Sequence, residues 1–387
     1  MDFDLSEEQE LLCDSVARLM EREAPPERLR RWDRERVFPE ELHRAWAEAG
    51  LYQMPFPVEY GGLGGDAVDV ALLVEELSRH SADLCMSYSS SIFCGLNILR
   101  KGTEAQKHHW LPRLMDGRVK FAISISEPDA GSDAGAMKTH AVRTEGGWIV
   151  NGQKLWNTGA GLPDCVLSVY LKTDRTVPYR QGLSMLLIDN DAPGVELRKL
   201  DMLGRRSTGT YEVFFADVFV PDDRLVGGEG GGWDCLMSGL QLERAVSAAS
   251  SCGGARAVVD LARTYAQERR QFGQPIGSFQ AIGHTVAEMQ TAVDAARLLT
   301  MKAAWLVAKD RDALREISEA KLFASETYAR VANQGVQIMG AFGLNAEYAM
   351  ERHYRDARSA TIAAGTSETL RNLIAGLMGL KPASRRT

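Results

Sequence analysis

The run F-A-I-S-I-S, residues 121–126, marks the point at which the hydrophobic pattern of the chain changes its period. It places Phe121, Ile123 and Ile125 at every second position, which is typical of a β-strand with one apolar face. Before this run, apolar residues recur at intervals of three and four, which is typical of helices. The fold is therefore decided here, where a helical part gives way to strands.

The part that precedes this run is helical in pattern as far as about residue 118. Ser6 followed by Gln9 has the spacing of a capping box that starts a first helix. A turn rich in proline and glycine, residues 55–65, interrupts the helical pattern. We therefore expect an N-terminal helical domain at residues 1–118.

Strand-like segments continue after residue 126. Asn151 and Gly152 stand between the two halves of W-I-V-N-G-Q-K-L-W, a pattern that predicts a β-hairpin. Further apolar runs complete a β region, at residues 165–171, 183–188 and 211–220. We therefore expect a middle β-domain at residues 119–228.

A glycine-rich segment, V-G-G-E-G-G-G-W at residues 226–233, precedes a second helical part. Its five glycines predict a flexible connection. A long segment then carries apolar residues mostly at helical steps, namely Val286, Met289, Val293, Ala296, Ala303 and Leu306. We expect a C-terminal helical domain at residues 229–387. The order of helices, strands and helices indicates an α+β fold rather than a βαβ alternation.

The composition excludes several classes of protein. The 45 basic and 52 acidic residues give a net charge of −7 without long runs of one sign, so nucleic acid and anionic membranes are not expected partners. Six cysteines without C-x-x-C spacing favour a reducing compartment, and we expect a cytoplasmic protein without structural zinc. The acidic start M-D-F-D-L-S-E-E-Q-E is unlike a signal or transit peptide. The sequence contains no run of about 18 apolar residues, so we expect no membrane insertion.

Familiar catalytic motifs are missing from the sequence. The glycines of residues 61–65 follow no convincing strand and form no G-x-G-x-x-G, so they predict a turn rather than a dinucleotide site. The sequence contains neither H-E-x-x-H nor a paired His/Cys cluster nor G-x-S-x-G. It therefore supports neither a metal site nor a serine hydrolase.

Two polar stretches of the β region carry groups suited to chemistry. S-I-S-E-P-D-A-G-S-D, residues 124–133, ends a strand with hydroxyls at Ser126 and Ser132. K-L-W-N-T, residues 154–158, places Trp156 two residues before a hydroxyl. Taken singly, the first is a polar turn and the second contains a buried tryptophan.

Two more stretches lie in the C-terminal part. E-R-R-Q-F-G, residues 268–273, offers cations and an aromatic ring at a helix end. I-A-A-G-T-S-E, residues 362–368, contains Gly365, which permits close backbone approach, and hydroxyls that can cap the next helix. Taken singly, these are a solvated charge cluster and a helix cap.

Together these stretches resemble the acyl-CoA dehydrogenase family over essentially the whole chain. The matching motifs stand in the family's order: A-G-S-D, W-x-T, E-R-x-x-F-G, Q-I-M-G-A-F-G, R-D-A and G-T-S-E. The resemblance implies a helical N-terminal domain, a middle β-domain and a C-terminal four-helix bundle. It also implies FAD as cofactor, a homotetramer, an electron-transfer flavoprotein as partner, and a place in fatty acid or branched-chain amino acid catabolism.

The resemblance further implies which residues bind the cofactor. Ser126 would hydrogen-bond the pyrimidine edge of the flavin, and Trp156 and Thr158 would contact the ring near N5, which accepts the hydride. Ser132 would lie near the substrate or the flavin phosphates. The other implied contacts, to the dinucleotide part and the flavin site, are Arg269, Phe272, Gln280, Gln337, Gly340, Thr366 and Glu368.

Position 364 departs from the pattern of many family members, which place a carboxylate directly before the G-T. Here that residue is Ala364. The isovaleryl- and long-chain types instead carry a Glu in an L-x-x-E-R context, and residues 238–246 read S-G-L-Q-L-E-R-A-V. The resemblance therefore implies Glu243 as the base that takes the α-proton, with a pKa that burial raises toward working pH. The alternative is that Glu243 and Arg244 are solvated helix charges.

The resemblance also assigns a substrate-binding role to the loop around residue 364. The backbone N–H of Ala364, with a flavin ribityl hydroxyl, would donate to the thioester carbonyl, and such a donor contributes about 2.7–4 kcal/mol in other enzymes. Ala363 stands where many straight-chain members carry Tyr and the isovaleryl type carries a small residue, which implies room for branched or bulky acyl groups. The implied substrate contacts are Ser132, Arg244, Ala363 and Gly365.

The expected reaction converts an acyl-CoA thioester to the trans-2-enoyl-CoA. Asp129, Asn157 and the G-A-G at residues 159–161 depart from the usual family pattern, which leaves redox tuning and acceptor choice open. Alternatives on the same fold are an acyl-carrier-protein dehydrogenase, an enoyl-thioester reductase and a flavin oxidase. A non-enzymatic alternative is an inactive or scaffold paralogue.

Overall fold

The computed structural model describes residues 4–380, apart from the side chains of residues 240 and 241. Its elements follow the order helices, strands, helices, which confirms the predicted α+β class. Contacts divide the chain into two compact units. The helical unit consists of the residues up to 31, residues 67–85 and the residues from 241 onward, and the sheet unit consists of residues 32–66 and 86–240.

The first helix begins as its sequence predicts. Helix α1 (Glu7–Glu23) starts with a reciprocal capping box, in which the N–H of Gln9 donates to Oγ of Ser6 and the N–H of Ser6 donates to Oε1 of Gln9, both at 3.2 Å. This satisfies two backbone donors that the first helical turn would otherwise leave unpaired. The other helices ahead of the sheet are α2 (Pro26–Glu35), α3 (Glu40–Glu48), α4 (Ala67–Lys101) and α5 (Glu104–Met115).

The sheet unit is organised around a mostly antiparallel sheet. Its strands are β1 (Lys120–Ser124), β2 (His140–Thr144), β3 (Gly147–Thr158), β4 (Cys165–Lys172), β5 (Leu183–Asp189), β6 (Val195–Lys199), β7 (Thr210–Pro221) and β8 (Leu225–Val226). In the order β6-β7-β3-β2-β4-β5-β8, neighbouring strands are hydrogen-bonded, and β1 pairs in parallel with β4. A four-residue helix, α6 (Tyr179–Gly182), precedes β5.

Strand β1 confirms the predicted change of period, but its two faces are both covered. Phe121 is buried on one face, and Ala122 and Ser124 are fully buried on the other. Ile125 lies beyond the end of the strand. The alternation therefore does not separate core from solvent, because β1 lies within the sheet unit rather than at its surface.

The hairpin predicted at Asn151 and Gly152 is wrong, because β3 continues through both residues. The turn between β2 and β3 lies at residues 145–146 instead, where Thr144 pairs with Gly147. The Asn151 side chain makes two hydrogen bonds to Asp217 of β7. Nδ2 of Asn151 donates to Oδ1 of Asp217 at 2.9 Å, and the N–H of Asp217 donates to Oδ1 of Asn151 at 3.0 Å. An Asn-Gly pair occupied in this way does not turn the chain.

Two irregularities interrupt the pairing of β3 with β7. Between Val150 and Gly152 the register shifts by one residue, and between Lys154 and Asn157 it shifts again. At the first shift β7 contains the additional residue, and at the second β3 does. Such β-bulges re-aim side chains locally.

The C-terminal part is helical, as predicted. Its helices are α7 (Gly232–Glu268), α8 (Gln280–Ala308), α9 (Leu314–Met339), α10 (Ala349–Ala360) and α11 (Ser367–Leu377). Between α7 and α8 the chain forms a short hairpin of β9 (Arg270–Gln271) and β10 (Gln274–Pro275). The core of the helical unit includes Val258, Met289 and Tyr328.

None of the helices within residues 4–380 combines the length and apolar character that a membrane span requires. Within the same residues, no three His, Cys, Asp or Glu side chains are grouped as metal ligands.

Candidate active site

Ser126 lies beside the K-L-W-N-T stretch of β3, although 28 residues separate Ser126 from Lys154 in the sequence. The N–H of Leu155 donates to the carbonyl oxygen of Ser126 at 2.8 Å, and Nζ of Lys154 donates to the carbonyl oxygen of Ile125 at the same distance. The Ser126 side chain is half-buried. The structure thus brings together two of the stretches that the sequence singles out.

A buried ion pair holds this arrangement in place. Nζ of Lys154 lies 2.9 Å from Oε1 of Glu127, and the carboxylate of Glu127 also accepts the N–H groups of Lys138 and Thr139. Burial lowers the pKa of Lys154 to about 8, while the charge of Glu127 opposes that shift. Burial alone would raise the pKa of Glu127, but Lys154 and the N–H of Lys138 hold it below its usual value.

Trp156 is the additional residue at the second bulge of β3. Leu155 and Trp156 together face the single residue Glu212 of β7. Trp156 adopts φ 66°, a left-handed conformation that is unusual for a bulky residue, and its side chain is 54% exposed. The bulge therefore presents an indole to solvent from the middle of a sheet.

The residues after Trp156 turn back into the sheet unit. Asn157 is buried, and its Nδ2 donates to the carbonyl oxygen of Tyr211 at 3.1 Å. Its Oδ1 has no hydrogen-bond partner in the described part of the chain. Thr158, the last residue of β3, is half-buried. Ser132 is exposed in the connection between β1 and β2.

Glu243 lies on α7 in the helical unit and is half-buried. Within the described residues its carboxylate has neither a hydrogen bond nor an ion pair closer than 4.0 Å. Burial raises the pKa of Glu243 to about 7, although the positive charges of Arg244 and Lys321 lower it in part. An unpaired carboxyl with this pKa can accept a proton near neutral pH.

Arg244 is not the solvated helix charge of the alternative interpretation. Its side chain is buried, and its Nε finds no hydrogen-bond partner among the described residues. A Cβ added to Gly365 would lie 3.8 Å from Nη2 of Arg244. The structure therefore places Arg244 against the loop that the sequence associates with the substrate.

The loop between α10 and α11 has a strained backbone. Ala364 adopts φ 55° and Gly365 φ 96°, so two consecutive residues lie in the left-handed region. That region costs roughly 1–2 kcal/mol for a residue with a Cβ. The N–H of Ala363 donates to the carbonyl oxygen of Ser359 at 3.0 Å, whereas the half-buried Ala364 donates its N–H to none of the described residues.

Lys321 on α9 is a residue of this region that the sequence motifs do not contain. It is completely buried, and its Nζ donates to the carbonyl oxygen of Gly365 at 2.6 Å. The signal in the sequence is its spacing, since Lys321 stands in line with the buried residues Ile317, Ala324 and Tyr328. A charged residue in the apolar stripe of a helix points to a polar partner in the core.

The two residues after the loop that the family resemblance assigns to the flavin site lie at the start of α11. Oγ1 of Thr366 accepts the N–H of Thr369 at 3.2 Å and caps the helix, as the sequence predicts. Glu368 is exposed in the first turn, where its own backbone N–H and the Thr366 hydroxyl hold the pKa of its carboxyl below its usual value. Both side chains are therefore at the positive end of the helix dipole.

The residues assigned to the dinucleotide part are exposed in the helical unit. The guanidinium of Arg269 lies 5.4 Å from the ring centroid of Phe342, in the turn that follows α9. Phe272, at the tip of the β9–β10 hairpin, has φ 51° and is 93% exposed. The remaining three, Gln280, Gln337 and Gly340, are also exposed.

Models of one family cover most of the chain. The model described as "Acyl-CoA dehydrogenase, N-terminal domain" matches residues 6–118, the middle-domain model matches residues 122–218, and the C-terminal-domain model matches residues 230–378. The chain belongs to the acyl-CoA dehydrogenase family. Enzymes of this family are oxidoreductases that act on CH–CH groups with a flavin, and they use FAD.

The names of the relatives of this acyl-CoA dehydrogenase specify different substrates. "Probable acyl-CoA dehydrogenase YngJ" of Bacillus subtilis is 37% identical over 97% of this chain and 99% of its own length. "Isovaleryl-CoA dehydrogenase, mitochondrial" of Arabidopsis thaliana is 38% identical over 89% and 85% of the two chains. The solved glutaryl-coenzyme A dehydrogenase in complex with glutaryl-CoA has a TM-score of 0.94 at 34% identity, over 100% of this chain and 98% of that one. An acyl-CoA substrate and an electron-transfer flavoprotein partner fit this family.

The residues of this dehydrogenase fit FAD in chemical type. The exposed indole of Trp156 offers a flat apolar surface, and Ser126 places a hydroxyl on the segment next to it. The exposed guanidinium of Arg269 suits a pyrophosphate. At Gly340 an added Cβ would meet no atom within 4 Å, so the backbone is open to a close approach.

Proposed function

We propose that this acyl-CoA dehydrogenase converts an acyl-CoA to the trans-2-enoyl-CoA, with Glu243 as the base that takes the α-proton. The observation that carries this proposal is the environment of Glu243, a half-buried carboxyl without a partner among the described residues and with a pKa raised to about 7. A base is most effective when its pKa lies near the working pH. FAD, when bound, supplies the acceptor for the β-hydride at N5.

The backbone N–H of Ala364 donates to the thioester carbonyl in this proposal. The support is that Ala364 is half-buried, that its N–H has no acceptor among residues 4–380, and that the residue adopts a strained left-handed conformation. A donor fixed before the reaction stabilises the enolate as charge moves onto the carbonyl oxygen. It thereby makes the α-proton easier for Glu243 to remove.

The proposed cofactor contacts are the residues that the sequence motifs single out. Ser126, Trp156 and Thr158 contact the flavin ring, and Thr366 and Glu368 complete the flavin site. Ser132 binds the substrate or the flavin phosphates. The dinucleotide part is bound by Arg269, Phe272, Gln280, Gln337 and Gly340, supplied to a neighbouring copy in a homotetramer. The exposure of Phe272 supports this last point, because an apolar ring that is 93% exposed gains by being covered.

The acyl group is branched or bulky in this proposal. Ala363 is half-buried and small, and it stands where many straight-chain family members carry a Tyr. The name of the Arabidopsis relative, which specifies the branched isovaleryl group, supports the same choice. Arg244 and Gly365 complete the substrate contacts, and an electron-transfer flavoprotein takes the electrons from the reduced enzyme.

The test is anaerobic bleaching of the flavin by a panel of acyl-CoAs, in the parent and in Glu243→Gln. We expect Glu243→Gln to retain FAD and to lose reduction by at least about a hundredfold, because proton transfer by a positioned base contributes on that order or more. Glu288→Gln, which changes an exposed carboxyl of α8 in the same way, is the matched control and should bleach like the parent. Bleaching of Glu243→Gln at the parental rate would overturn the assignment of the base.

The same assay separates this function from the alternatives. Bleaching by carrier-protein thioesters but not by acyl-CoAs would favour a carrier-protein dehydrogenase. Rapid reoxidation by oxygen would favour an oxidase, and purification of the folded chain without FAD under all conditions would favour an inactive paralogue.

A further inference from the structure

We propose that Lys321 is a positioning residue for the dehydrogenation, because its bond to Gly365 fixes the loop at residues 363–366 that carries the proposed Ala364 donor. The proposal rests on the function proposed above, in which Glu243 is the base and Ala364 donates through its backbone. Lys321 is itself too far inside the helical unit to be a solvated charge, since its side chain is completely buried.

The contact between Lys321 and the loop fixes the peptide next to the proposed donor. Nζ of Lys321 donates to the carbonyl oxygen of Gly365 at 2.6 Å, which is a short charge-assisted hydrogen bond. An added Cβ at Gly365 would lie 3.8 Å from Nη2 of Arg244. Gly365, directly after Ala364, is thus bonded to a cation of α9 and lies near a cation of α7.

The loop needs such a restraint because its backbone is not in a relaxed conformation. Ala364 and Gly365 lie at φ 55° and 96°, and only Gly adopts this region without strain. The chain enters the loop through the Ala363 N–H bond to Ser359 and leaves it through the Thr366 cap. Between these two anchors, the bond from Lys321 to Gly365 ties the loop to a side chain of another helix.

The charge of Lys321 also reaches the base. Two cations lower the pKa of Glu243 against the effect of burial, Arg244 from its own helix and Lys321 from α9. One ammonium group therefore connects the two halves of the proposed chemistry, since it touches the loop that carries the donor and stabilises the ionised form of the acceptor. Removing it should disturb the geometry of the loop and the titration of Glu243 together.

If Lys321 had only a structural role, its buried ammonium would destabilise the fold relative to an apolar side chain. A buried ammonium loses its hydration, whereas an apolar side chain in line with Ile317 and Ala324 would not. The structural and the positioning roles predict different results when an uncharged side chain replaces Lys321. The structural role predicts only lower stability, and the positioning role predicts a changed base and a changed carbonyl environment in the protein that still folds.

The experiment compares Lys321→Met, Lys321→Gln and Lys321→Arg in the FAD-loaded chain. The matched control is Lys302→Met, which removes an exposed lysine of α8 that is 3.7 Å from Glu316. The first readout is the pH dependence of anaerobic flavin bleaching by an acyl-CoA. The second is the carbonyl stretching frequency of bound enoyl-CoA, measured by infrared difference spectroscopy, which reports hydrogen bonding to the thioester without requiring turnover.

We expect Lys321→Met to move the pH midpoint of bleaching upward, because Glu243 loses a stabilising cation and holds its proton more tightly. Its bleaching rate at neutral pH should fall by about a hundredfold, the effect expected of a misplacement of about 1 Å. Its bound enoyl-CoA should show a higher carbonyl frequency. Lys321→Gln keeps a donor but not the charge, so its midpoint should move while its carbonyl frequency stays nearer to the parental value. Lys321→Arg keeps the charge, so its midpoint should stay near that of the parent.

An unchanged midpoint and an unchanged carbonyl frequency in Lys321→Met would overturn the proposal, even if its melting temperature falls. If Lys321→Met does not fold, Lys321→Gln decides, and an unshifted midpoint in that variant overturns the role in protonation. These failures are distinct from a failure of the proposed function. If the proposed function fails, Glu243→Gln bleaches normally. If only the Lys321 proposal fails, Glu243→Gln is inactive and the Lys321 variants behave like Lys302→Met.

Discussion

Nζ of Lys154 lies 2.9 Å from Oε1 of Glu127, and both side chains are almost entirely buried in the sheet unit. The pair pins the segment that carries Ser126 to the strand that carries Trp156, through the bond from Lys154 to the carbonyl oxygen of Ile125. Breaking a buried pair leaves one charge uncompensated. The geometry of the proposed flavin-ring contacts therefore depends on an ion pair that is not itself part of those contacts.

Lys154→Met should lower the free energy of unfolding by about 3–5 kcal/mol, because Glu127 would remain buried without its partner. The double variant Glu127→Gln with Lys154→Met should lose less than Lys154→Met alone. Denaturant titration measures both. Lys138→Met removes a lysine that is 75% exposed and paired with Asp129 at the surface, so this control should change stability by about 0–1 kcal/mol. A loss in Lys154→Met no larger than in the control would contradict the importance of the pair.

Glu243 should make the stability of the chain depend on pH. Its pKa is about 7 in the folded chain against an ordinary 4.5, so the folded chain binds the proton more tightly. The stability that this proton contributes is complete below the ordinary pKa and is lost as pH rises through about 7.

Glu243→Gln, which carries no charge at any pH, should therefore become more stable relative to the parent as the pH rises from about 5 to about 8. Melting temperatures at the two pH values, with Glu288→Gln as control, measure this difference. A constant difference between Glu243→Gln and the parent would show that the carboxyl titrates in the folded chain as it does in the unfolded one.

Gly152→Ala should destabilise the sheet unit. Gly152 has φ 144°, and a Cβ there would lie 2.6 Å from the Cα of Thr139, a backbone atom that cannot move aside alone. We expect a loss of about 1–3 kcal/mol in denaturant titration. Gly376→Ala, in α11 with no atom within 4 Å of the added Cβ, is the opposite case and should gain about 0.5–1 kcal/mol. Equal effects of the two substitutions would refute the steric argument.

Trp156→Phe should separate cofactor binding from stability. The indole is 54% exposed, so its replacement should change the free energy of unfolding of the FAD-free chain by about 0.5 kcal/mol or less. FAD affinity, followed by quenching of flavin fluorescence, should nevertheless fall. Trp148 of the same strand is buried. Trp148→Phe should therefore lower the free energy of unfolding, and the molecules that remain folded should bind FAD with the parental affinity.

Ala363→Tyr should narrow the substrate range. The parent should reduce its flavin faster with branched than with linear C4 to C8 acyl-CoAs, and a bulky ring at this half-buried position should remove that preference. The measurement is the ratio of bleaching rates for the two classes of substrate. A strong preference of the parent for linear chains would contradict the proposed pocket.

Local sequence patterns were sufficient for the elements whose signals are contained within one element. The capping box of Ser6 and Gln9, the Thr366 cap and the change of period at Phe121 each depend on residues a few positions apart. Asn151 shows the limit of this information. Its pattern is that of a hairpin, but its side chain is bonded to Asp217, 66 residues away. No short window contains that partner.

The candidate site divides in the same way. The motifs point to Trp156, Glu243 and Ala364 because they are arranged along the chain in a recognisable order. Glu127 and Lys321 are not in those assignments, since what each does depends on a partner contributed by another segment. Their burial is what distinguishes them from the many solvated Glu and Lys residues of the chain, and burial of a charge is the property that a local window predicts least well.

The two irregularities between β3 and β7 cancel each other. One adds a residue to β7 near Asp217, the other adds Trp156 to β3, and the pairs before and after them follow the same register. Deleting Asp217 and Trp156 together would therefore leave an uninterrupted ladder from Gly147 to Thr158. The sheet has no topological need for either insertion. Together the two insertions expose the ring of Trp156 from β3, while both ends of β3 keep the same register with β7.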